Sequence, residues 1–263
     1  MNHTTALYDD PTRVLQSLLD TAANRPGPNK RSRLPKTAVG LIPSSPVGSL
    51  LVGVTSRGIV MIHFLRRAAD LADAIAKLRH GWDLEPDQNA VRRVGDELRR
   101  FMDGDESALT SDIDLSLIRS PFQRRVLELL MQVGPGAILT YSSLAAWAGA
   151  PQASRAVGGA MHDNPIPVYV PCHRVVRSDL SLGGYGGGLE VKRKLLEVEG
   201  FSFTRTGTVA QDGAVWGNRN TRVFCRPGCR ALARAHRRNE LLFRDAERAG
   251  QAGMRPCRIC AET

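Results

Sequence analysis

Hydrophobic positions in the first half of the chain follow a strand pattern and then a helix pattern. The segments VGSLLVGVT and GIVMIHF are rich in β-branched and apolar residues and flank a Ser-Arg-Gly turn, which predicts two adjacent strands. Apolar residues then recur at helical spacing over 67–80 and 86–103, which predicts two helices. We therefore predict a small α/β subdomain over residues 37–117.

The pattern changes in the middle of the chain. Apolar faces at helical spacing, with a cap or a proline at the start, predict three short helices in PFQRRVLELL, TYSSLAAWAG and PQASRAVGGAMHDN. Two short helices separated by a Gly-Ala-Pro turn are typical of a helix-turn-helix, so a helical domain is predicted over residues 118–202. The third helix has almost no bulky side chains, which favours either close approach to another surface, such as a DNA groove, or tight packing against a neighbouring helix.

Other segments are distinguished by composition. Residues 168–170 are predicted as a buried strand, and residues 189–199 as a helix. Residues 203–212 are polar and are predicted as a linker to a last, small α+β module over 213–263. At the other end, residues 1–36 are predicted as a flexible segment, because prolines and a basic run without acids follow a single short helix.

Amino-acid composition and net charge limit the classes of function that this protein can have. Of 263 residues, 36 are Lys or Arg and 26 are Asp or Glu, which gives a formal net charge of +10 and a pI near 9.9. This charge favours a polyanionic partner such as nucleic acid, although a merely soluble basic protein would show it too. No apolar run reaches the ~20 residues that cross a bilayer, and no signal pattern is present, so we expect a cytoplasmic protein with no membrane contact.

Five cysteines carry a clear chemical signal. Four of them form a C-x3-C and a C-x2-C pair near the end of the sequence: Cys225, Cys229, Cys257 and Cys260. Two close pairs suit one tetrahedral Zn²⁺ with four thiolate ligands, so one zinc ion is the predicted cofactor, against the alternatives of disulfides or unligated thiols. Residues 213–263 also contain eleven arginines, no lysine and four acidic residues, which suits a phosphate backbone.

The fifth cysteine, Cys172, is followed directly by His173, which makes it a candidate nucleophile beside a base. Neighbouring side chains of an extended chain point to opposite faces, so a direct hydrogen bond needs a turn, and a bridging water is the other solution. The reactive form is the thiolate, and the histidine needs an orienting carboxylate. On composition alone, a buried and inert cysteine is the alternative.

The residues around Cys172 form a long motif. IPVYVPCHRVV resembles the active-site motif of the O6-alkylguanine-DNA alkyltransferases, and the similarity covers residues 118–201. It implies a helix-turn-helix catalytic domain behind an α/β subdomain of ribonuclease-H-like fold. It also implies DNA repair by direct damage reversal, in which a base is flipped out of the duplex and its O6-alkyl (methyl) group moves to a cysteine. Each protein molecule is then a methyltransferase that acts once and inactivates itself.

The resemblance implies catalytic roles for five residues. Cys172 is the alkyl acceptor, and His173 takes its proton through a water. Glu199 orients His173, and Asn164 braces the site at a hinge. Tyr141 pushes on the 3′ phosphate and can donate a proton to the purine. From the residues alone, the role of an ordinary core aromatic is favoured for Tyr141, and a surface ion pair with Lys192 or Arg193 is favoured for Glu199.

The resemblance also implies residues that bind DNA and the flipped base. Arg155 is the finger that enters the base stack and fills the space of the flipped nucleotide, whereas a solvent-facing helix charge is the alternative. The other implied DNA-binding residues are Tyr141, Ala156, Gly158 and Gly159. The implied wall of the guanine pocket consists of Tyr185, Gly186 and Gly187.

The last module shows a second resemblance. VFCRPGC, LFRDA and GMRPCRIC resemble the metal-binding domain of the Ada methylation-response proteins, in which four cysteines hold zinc and the first accepts a methyl group from DNA methylphosphotriesters. By position that cysteine is Cys225, the candidate second methyl acceptor; a purely structural zinc site that clamps DNA is the alternative. The module follows the alkyltransferase part instead of preceding it, Thr221-Arg222-Val223 departs from the family pattern, and no AraC-like domain supports a transcription switch.

The sequence therefore predicts a monomeric DNA-repair alkyltransferase that binds double-stranded DNA containing O6-alkylguanine. The rival hypothesis is a non-catalytic, zinc-dependent DNA-binding protein that acts as a damage sensor or regulator. The presence of Cys172 argues against this rival, because non-repairing relatives lack the acceptor cysteine.

Overall fold

A computed structural model describes residues 13, 15–17, 19, 20, 36–79, 82–233 and 239–261. The chain divides into two compact units, Met1–Leu117 and Ile118–Thr263. The finer division predicted above, with boundaries at residues 202 and 212, stays a prediction. None of the helices in the described ranges combines the length and the apolar character needed to span a membrane.

The first unit contains a four-stranded sheet in the order β3-β2-β1-β4. Its strands are β1 (Lys36–Ser45), β2 (Gly48–Thr55), β3 (Gly58–Leu65) and β4 (Asp83–Pro86). β2 pairs antiparallel with both β1 and β3, with Leu51 opposite Leu41 and His63, whereas β4 joins β1 in parallel. The tight turn before β3 requires Gly58, since its φ is +129° and a Cβ would lie 2.3 Å from the Asp112 carbonyl oxygen. The predicted strand pair is confirmed as β2 and β3, and no strand is predicted for β1 or β4.

Two helices complete the described core of this unit and confirm the sequence prediction. They are α1 (Ala68–Arg79) and α2 (Gln88–Met102). The Asp87 side chain begins α2 by accepting the backbone N–H groups of Asn89 and Ala90. The apolar residues that predict α2 are all buried: Val91, Val94, Leu98 and Phe101. Leu15 and Leu19, from the predicted N-terminal helix, are buried in the core, and the basic run that follows lies outside the described residues.

The second unit contains a six-stranded sheet in the order β10-β8-β7-β9-β5-β6. Its strands are β5 (Ala137–Thr140), β6 (Val175–Val176), β7 (Val215–Asn218), β8 (Val223–Cys225), β9 (Glu240–Phe243) and β10 (Arg255–Pro256). β5 pairs with β6 in parallel and with β9 antiparallel, with Ala137 opposite Phe243. The last module therefore extends the sheet of the preceding segment, which the sequence does not predict.

Short helices flank this sheet. They are α3 (Pro121–Leu130), α4 (Tyr141–Trp147), α5 (Ser154–His162), α6 (Leu189–Val198), α7 (Arg230–Ala233), α8 (Ala246–Gln251) and α9 (Arg258–Ala261). Ser120 caps α3 and Thr140 caps α4, each by accepting a backbone N–H three residues on. The four helices predicted between residues 118 and 202 are thus confirmed as α3 to α6.

Candidate active site and metal centre

The segment before Cys172 is a tight loop, and the strand predicted there is wrong. Its prolines lack N–H donors, and Val168 has a left-handed φ of +76°, so no regular ladder forms. Asn164 supplies bonds that the backbone lacks: its Nδ2 donates to the Val170 carbonyl oxygen at 2.9 Å, and its Oδ1 accepts the Ile166 N–H at 3.0 Å. The predicted brace at Asn164 is therefore a pair of hydrogen bonds that fix the loop.

Cys172 and His173 lie in one turn of 3₁₀ helix. No hydrogen bond joins their side chains in the part of the chain that the structure describes. His173 Nε2 lies 2.9 Å from Glu199 Oε1, and both side chains are fully buried. The other ring nitrogen, Nδ1, is buried with no hydrogen-bond partner among the described residues. His173 is thus oriented on one side by a carboxylate and has an unused nitrogen on the other.

Glu199 caps the C-terminus of α6 and is held by Arg174 as well as by His173. Arg174 Nε and Nη2 donate to its carboxylate at 2.9 and 2.7 Å, and Nη1 donates to the Val133 carbonyl oxygen. Burial alone would raise the pKa of Glu199, but Arg174 and His173 lower it to about 2. The alternative of a surface ion pair with Lys192 or Arg193 is wrong, because Glu199 is buried and its ion-pair partners are His173 and Arg174.

Burial sets the protonation states of the reactive pair. Cys172 is 5% exposed, and desolvation raises the pKa of its thiol above the ordinary 9.0, although a hydrogen bond with Asn164 and the charge of Lys192 oppose the rise. The resting side chain is therefore a thiol at neutral pH, and the expected thiolate is not the resting form. Burial lowers the pKa of His173 below 6.5 in spite of Glu199, so its imidazole is neutral.

Arg174 and Lys192 are site residues that the sequence analysis misses. Lys192 is fully buried in α6, and its Nζ donates to the Val175 carbonyl oxygen at 2.6 Å and to the Leu182 carbonyl oxygen. Burial lowers the pKa of Lys192 to about 8, although the negative form of the neighbouring cysteine would raise it. A signal is present in the sequence: Lys192 precedes Glu199 by seven residues, which places both on one face of α6.

Two tyrosines approach Cys172 from separate segments. Tyr141 begins α4 and is half-buried, and a Cβ added to Gly183 would lie 3.1 Å from its hydroxyl oxygen. Burial raises the pKa of Tyr141 and of Tyr185, and a charge on Cys172 would raise each further. The predicted pocket residues beside Tyr185 lie in the same loop, where Gly186 is exposed and Gly187 is half-buried.

Most small residues of α5 lie on its outer face, although Ala160 is buried. Arg155 and Ala156 are exposed. Cβ atoms added at Gly158 and Gly159 would meet no heavy atom within 4 Å among the described residues, apart from the helix's own backbone. Tight packing against a neighbouring helix is therefore wrong as an explanation of these glycines. Their surface is accessible to an external partner.

The four paired cysteines converge on one point. Cys225 ends β8, Cys229 follows a turn, and Cys257 and Cys260 flank the start of α9. Their sulfur atoms all lie within 4.8 Å of one another, and those of Cys229 and Cys257 are 3.7 Å apart. A tetrahedral Zn²⁺ with bonds of about 2.3 Å needs sulfur separations near 3.8 Å, so the residues fit this ion. The disulfide alternative is wrong, because all five cysteines are unpaired.

Comparison with known proteins agrees with both halves of this site. Residues 121–201 match the DNA binding domain of 6-O-methylguanine DNA methyltransferase, and residues 204–263 match the metal binding domain of Ada. The methylated-DNA–protein-cysteine methyltransferase of Haemophilus influenzae is 33% identical over 164 residues, which is 62% of this chain and 87% of that protein. The same-named protein of Methanothermobacter thermautotrophicus is 44% identical over 117 residues, which is 43% of this chain and 63% of that protein.

A solved structure gives the same picture. The crystal structure of Mycobacterium tuberculosis OGT in complex with DNA aligns with a TM-score of 0.52 and 33% identity, over 62% of this chain and 92% of that chain. The chain belongs to the methylated-DNA–protein-cysteine methyltransferase family. Both resemblances stated from the sequence are thereby confirmed. The match covers less than two thirds of the Methanothermobacter relative, since that protein extends beyond it.

Proposed function

We propose that this protein repairs DNA by moving the alkyl group of O6-alkylguanine to the sulfur of Cys172, once per molecule. The observation that carries this proposal is the buried arrangement of Cys172, His173 and Glu199 inside the matched DNA-binding domain. A thiol that is merely inert needs no oriented imidazole beside it. The unused Nδ1 of His173 also supports a role as proton acceptor.

The reaction begins with the thiol. A water between Cys172 Sγ and His173 Nδ1 carries the thiol proton to the imidazole, and the ionised Glu199 stabilises the resulting imidazolium through the Nε2 proton. The thiolate attacks the alkyl carbon, so the S–C bond forms as the bond from carbon to O6 breaks. The guanine leaves as it takes a proton from the Tyr141 hydroxyl. The thioether product has no group to reverse it, which makes the reaction single-turnover.

We infer that α4 and α5 form a helix-turn-helix and that α5 enters the minor groove. O6 lies on the base-pairing edge of guanine and faces the major groove, out of reach of a helix in the minor groove, so the base must be extruded. Extrusion costs a few kcal/mol, which the exposed Arg155 offsets by filling the gap. The open surface at Gly158 and Gly159 supports close approach of the helix backbone to DNA. For the first unit, the order β3-β2-β1-β4 with a parallel fourth strand supports a ribonuclease-H-like fold.

Mass spectrometry tests the main proposal. The protein is incubated with a duplex containing O6-methylguanine, and intact and peptide masses are measured. We expect the mass of one methyl group on the peptide that contains Cys172 and on no other peptide. An unchanged mass with retained binding to the damaged duplex would support the rival damage sensor or regulator, and a methyl group on another peptide would contradict the assignment of Cys172.

We propose in addition that the four-cysteine cluster holds one Zn²⁺ and that Cys225 accepts a methyl group from DNA methylphosphotriesters. The match of residues 204–263 to the metal binding domain of Ada supports this role. A bound Zn²⁺ would keep the sulfur deprotonated at neutral pH. Peptide masses after incubation with methylphosphotriester DNA test the idea. We expect a methyl group on the Cys225 peptide, whereas no gain would leave a purely structural zinc site.

A further inference from the structure

The last module and the β5–α4 segment enclose a cavity of 450 Å³ that is separate from Cys172. Its charged lining consists of three arginines, Arg219, Arg222 and Arg248, and no acidic residue lies in the lining that the structure describes. We call it the arginine cavity. Its lining also includes apolar residues, among them Phe243 and Met254. Three guanidinium groups without a carboxylate repel one another, so this arrangement favours an anion among them.

Two donors in this cavity have no protein acceptor. Trp147 is 9% exposed, and its indole N–H is buried without a hydrogen-bond partner among the described residues. A buried donor of this kind is rare in a folded protein, because leaving it unpaired is unfavourable. The Arg222 guanidinium also has no hydrogen bond or ion pair to any residue that the structure describes. Trp147 and Arg222 both line the cavity. The Trp147 N–H is closed off from solvent, whereas the Arg222 guanidinium is exposed and is the donor that a ligand acceptor in the cavity would meet.

The backbone at Arg222 is a third, independent observation. Its φ is +56°, in the left-handed region that favours glycine and that few other residues adopt. Strain of this kind persists where a side chain is needed at that position. The Arg222 guanidinium lies against Gly253, where a Cβ would be 2.7 Å from its Nη2, so no larger residue fits beside it. Arg222 therefore has a strained backbone, and Gly253 provides the space that its guanidinium occupies.

The other two arginines are held in place by the protein. The Arg219 guanidinium lies 4.5 Å from the centroid of the Trp147 ring and donates to Gln132 Oε1 at 2.7 Å. Arg248 Nε donates to the Pro135 carbonyl oxygen at 2.5 Å. Arg248 Nη1 also donates to Gln251 Oε1 at 2.8 Å. A guanidinium that is held in place is well suited to phosphate binding. The cavity is therefore preorganised on two sides.

We propose that the arginine cavity binds the phosphate of a nucleotide, with the phosphate on Arg222 and with the base against the apolar residues of the lining. The volume lies within the range of pockets that hold ligands of this size. The phosphate belongs either to a free nucleotide or to a nucleotide of the DNA. The site is distinct from the alkyl-transfer site and does not depend on transfer to Cys172.

Isothermal titration calorimetry on the full-length protein with bound zinc tests the proposal. The probes are dGMP, deoxyguanosine and inorganic phosphate at constant ionic strength. We expect saturable 1:1 binding of dGMP that is tighter than binding of either fragment. Arg222→Gln should weaken dGMP binding roughly tenfold or more. Arg205→Gln removes an exposed arginine outside the cavity and should leave binding unchanged.

The outcomes separate cleanly. Absence of saturable dGMP binding to the wild-type protein, or unchanged binding in an Arg222→Gln variant with wild-type thermal stability, would overturn the proposal. Equal binding of dGMP and inorganic phosphate would overturn the part that places a base against the apolar residues of the lining. If an undamaged duplex competes with dGMP, the natural phosphate is that of DNA. If it does not compete, the ligand is a free nucleotide.

Discussion

The second unit contains two different environments for cysteine, one around Cys172 and one in the four-cysteine cluster. Cys172 is a single thiol whose neighbours are other protein side chains: a neutral imidazole, a buried lysine and an asparagine. The sulfur atoms of the other four cysteines lie within 4.8 Å of one another, and among the described residues no histidine or carboxylate joins this group of candidate metal ligands. The first arrangement keeps the sulfur protonated until a base removes the proton, whereas the second needs a cation before four thiolates can coexist.

The difference shows which contacts determine the reactivity of each sulfur. At Cys172 it depends on tertiary contacts, because Glu199 and Lys192 come from α6 and reach the turn from a distance in sequence. At the cluster it depends on short local turns and one ion, because each pair of cysteines is close in sequence. The first arrangement should therefore be sensitive to single buried substitutions, and the second to loss of metal.

Substitution of the proposed acceptor has the most complete effect. Cys172→Ser should abolish methyl transfer from an O6-methylguanine duplex, because the less acidic hydroxyl is not ionised by a neutral imidazole. DNA affinity and thermal stability should stay close to wild type, since the change is nearly isosteric. Transfer is measured by peptide mass and affinity by fluorescence anisotropy. Loss of both affinity and transfer would show that Cys172 is structural.

Metal removal should act on the other cysteines. Structural Zn²⁺ contributes about 10–16 kcal/mol in small zinc domains, so chelation should unfold the last module. Hydrogen exchange should then show loss of protection over residues 215–261, while α3 and α5 remain protected. Addition of Zn²⁺ should restore protection, whereas Mg²⁺ serves as the negative control. Full protection of residues 215–261 without metal would contradict a structural zinc site.

A substitution in the buried network around Cys172 should lower the free energy of unfolding by less than metal removal does. The loss should still be a large part of the total stability. Glu199→Gln leaves Arg174 as a buried charge without its carboxylate, and breaking such a pair typically costs about 3–5 kcal/mol. Urea unfolding measures this loss, and methyl transfer to Cys172 should slow in the folded variant. Glu197→Gln is the matched control, because that residue is exposed on the same helix. An effect equal to that of the control would contradict the proposed network.

The sequence predicts elements whose signals are local. α2 is found because Val91, Val94, Leu98 and Phe101 repeat at helical spacing, and all four are buried in the fold. The four-cysteine cluster is found because its ligand spacing is itself the signal. The sequence analysis offers a turn as the condition for a direct Cys172–His173 hydrogen bond. The turn is present, but no direct bond joins the two side chains among the described residues.

What the sequence does not predict depends on contacts between distant segments. β9 has only four residues, and its partner Ala137 on β5 lies more than a hundred residues earlier, so neither periodicity nor turn signals indicate the pairing. Arg174 is missed because nothing local shows that its partner is Glu199. The buried strand predicted at 168–170 is wrong because apolar character there reflects a packed loop braced by Asn164.

Lowering the pH should reduce the stability of the Cys172 region over a defined pH range. His173 has a folded pKa below 6.5, so the stability that it contributes is present above pH 6.5 and is lost as the pH falls below it. Glu199, with a pKa of about 2, contributes stability above pH 4.5 that is lost as the pH approaches 2. Urea unfolding at pH 7, 6 and 5 measures the first effect, and His173→Gln should flatten it. An unchanged slope in this variant would contradict the assignment.

The smallest expected effect concerns the link between the two regions. Arg244, next to β9, donates from Nη1 to the Glu199 carbonyl oxygen at 3.0 Å and lies under Gly200, where a Cβ would be 2.8 Å from its Cδ. Arg244→Ala removes this bond and should cost about 1 kcal/mol in urea unfolding, with a modest slowing of methyl transfer to Cys172. Arg255→Ala, an exposed position of the same module, is the control. If Arg244→Ala changes neither quantity, the zinc module and the alkyl-transfer site share a sheet without being energetically coupled through Arg244, which joins the module directly to Glu199, the hydrogen-bond partner of His173.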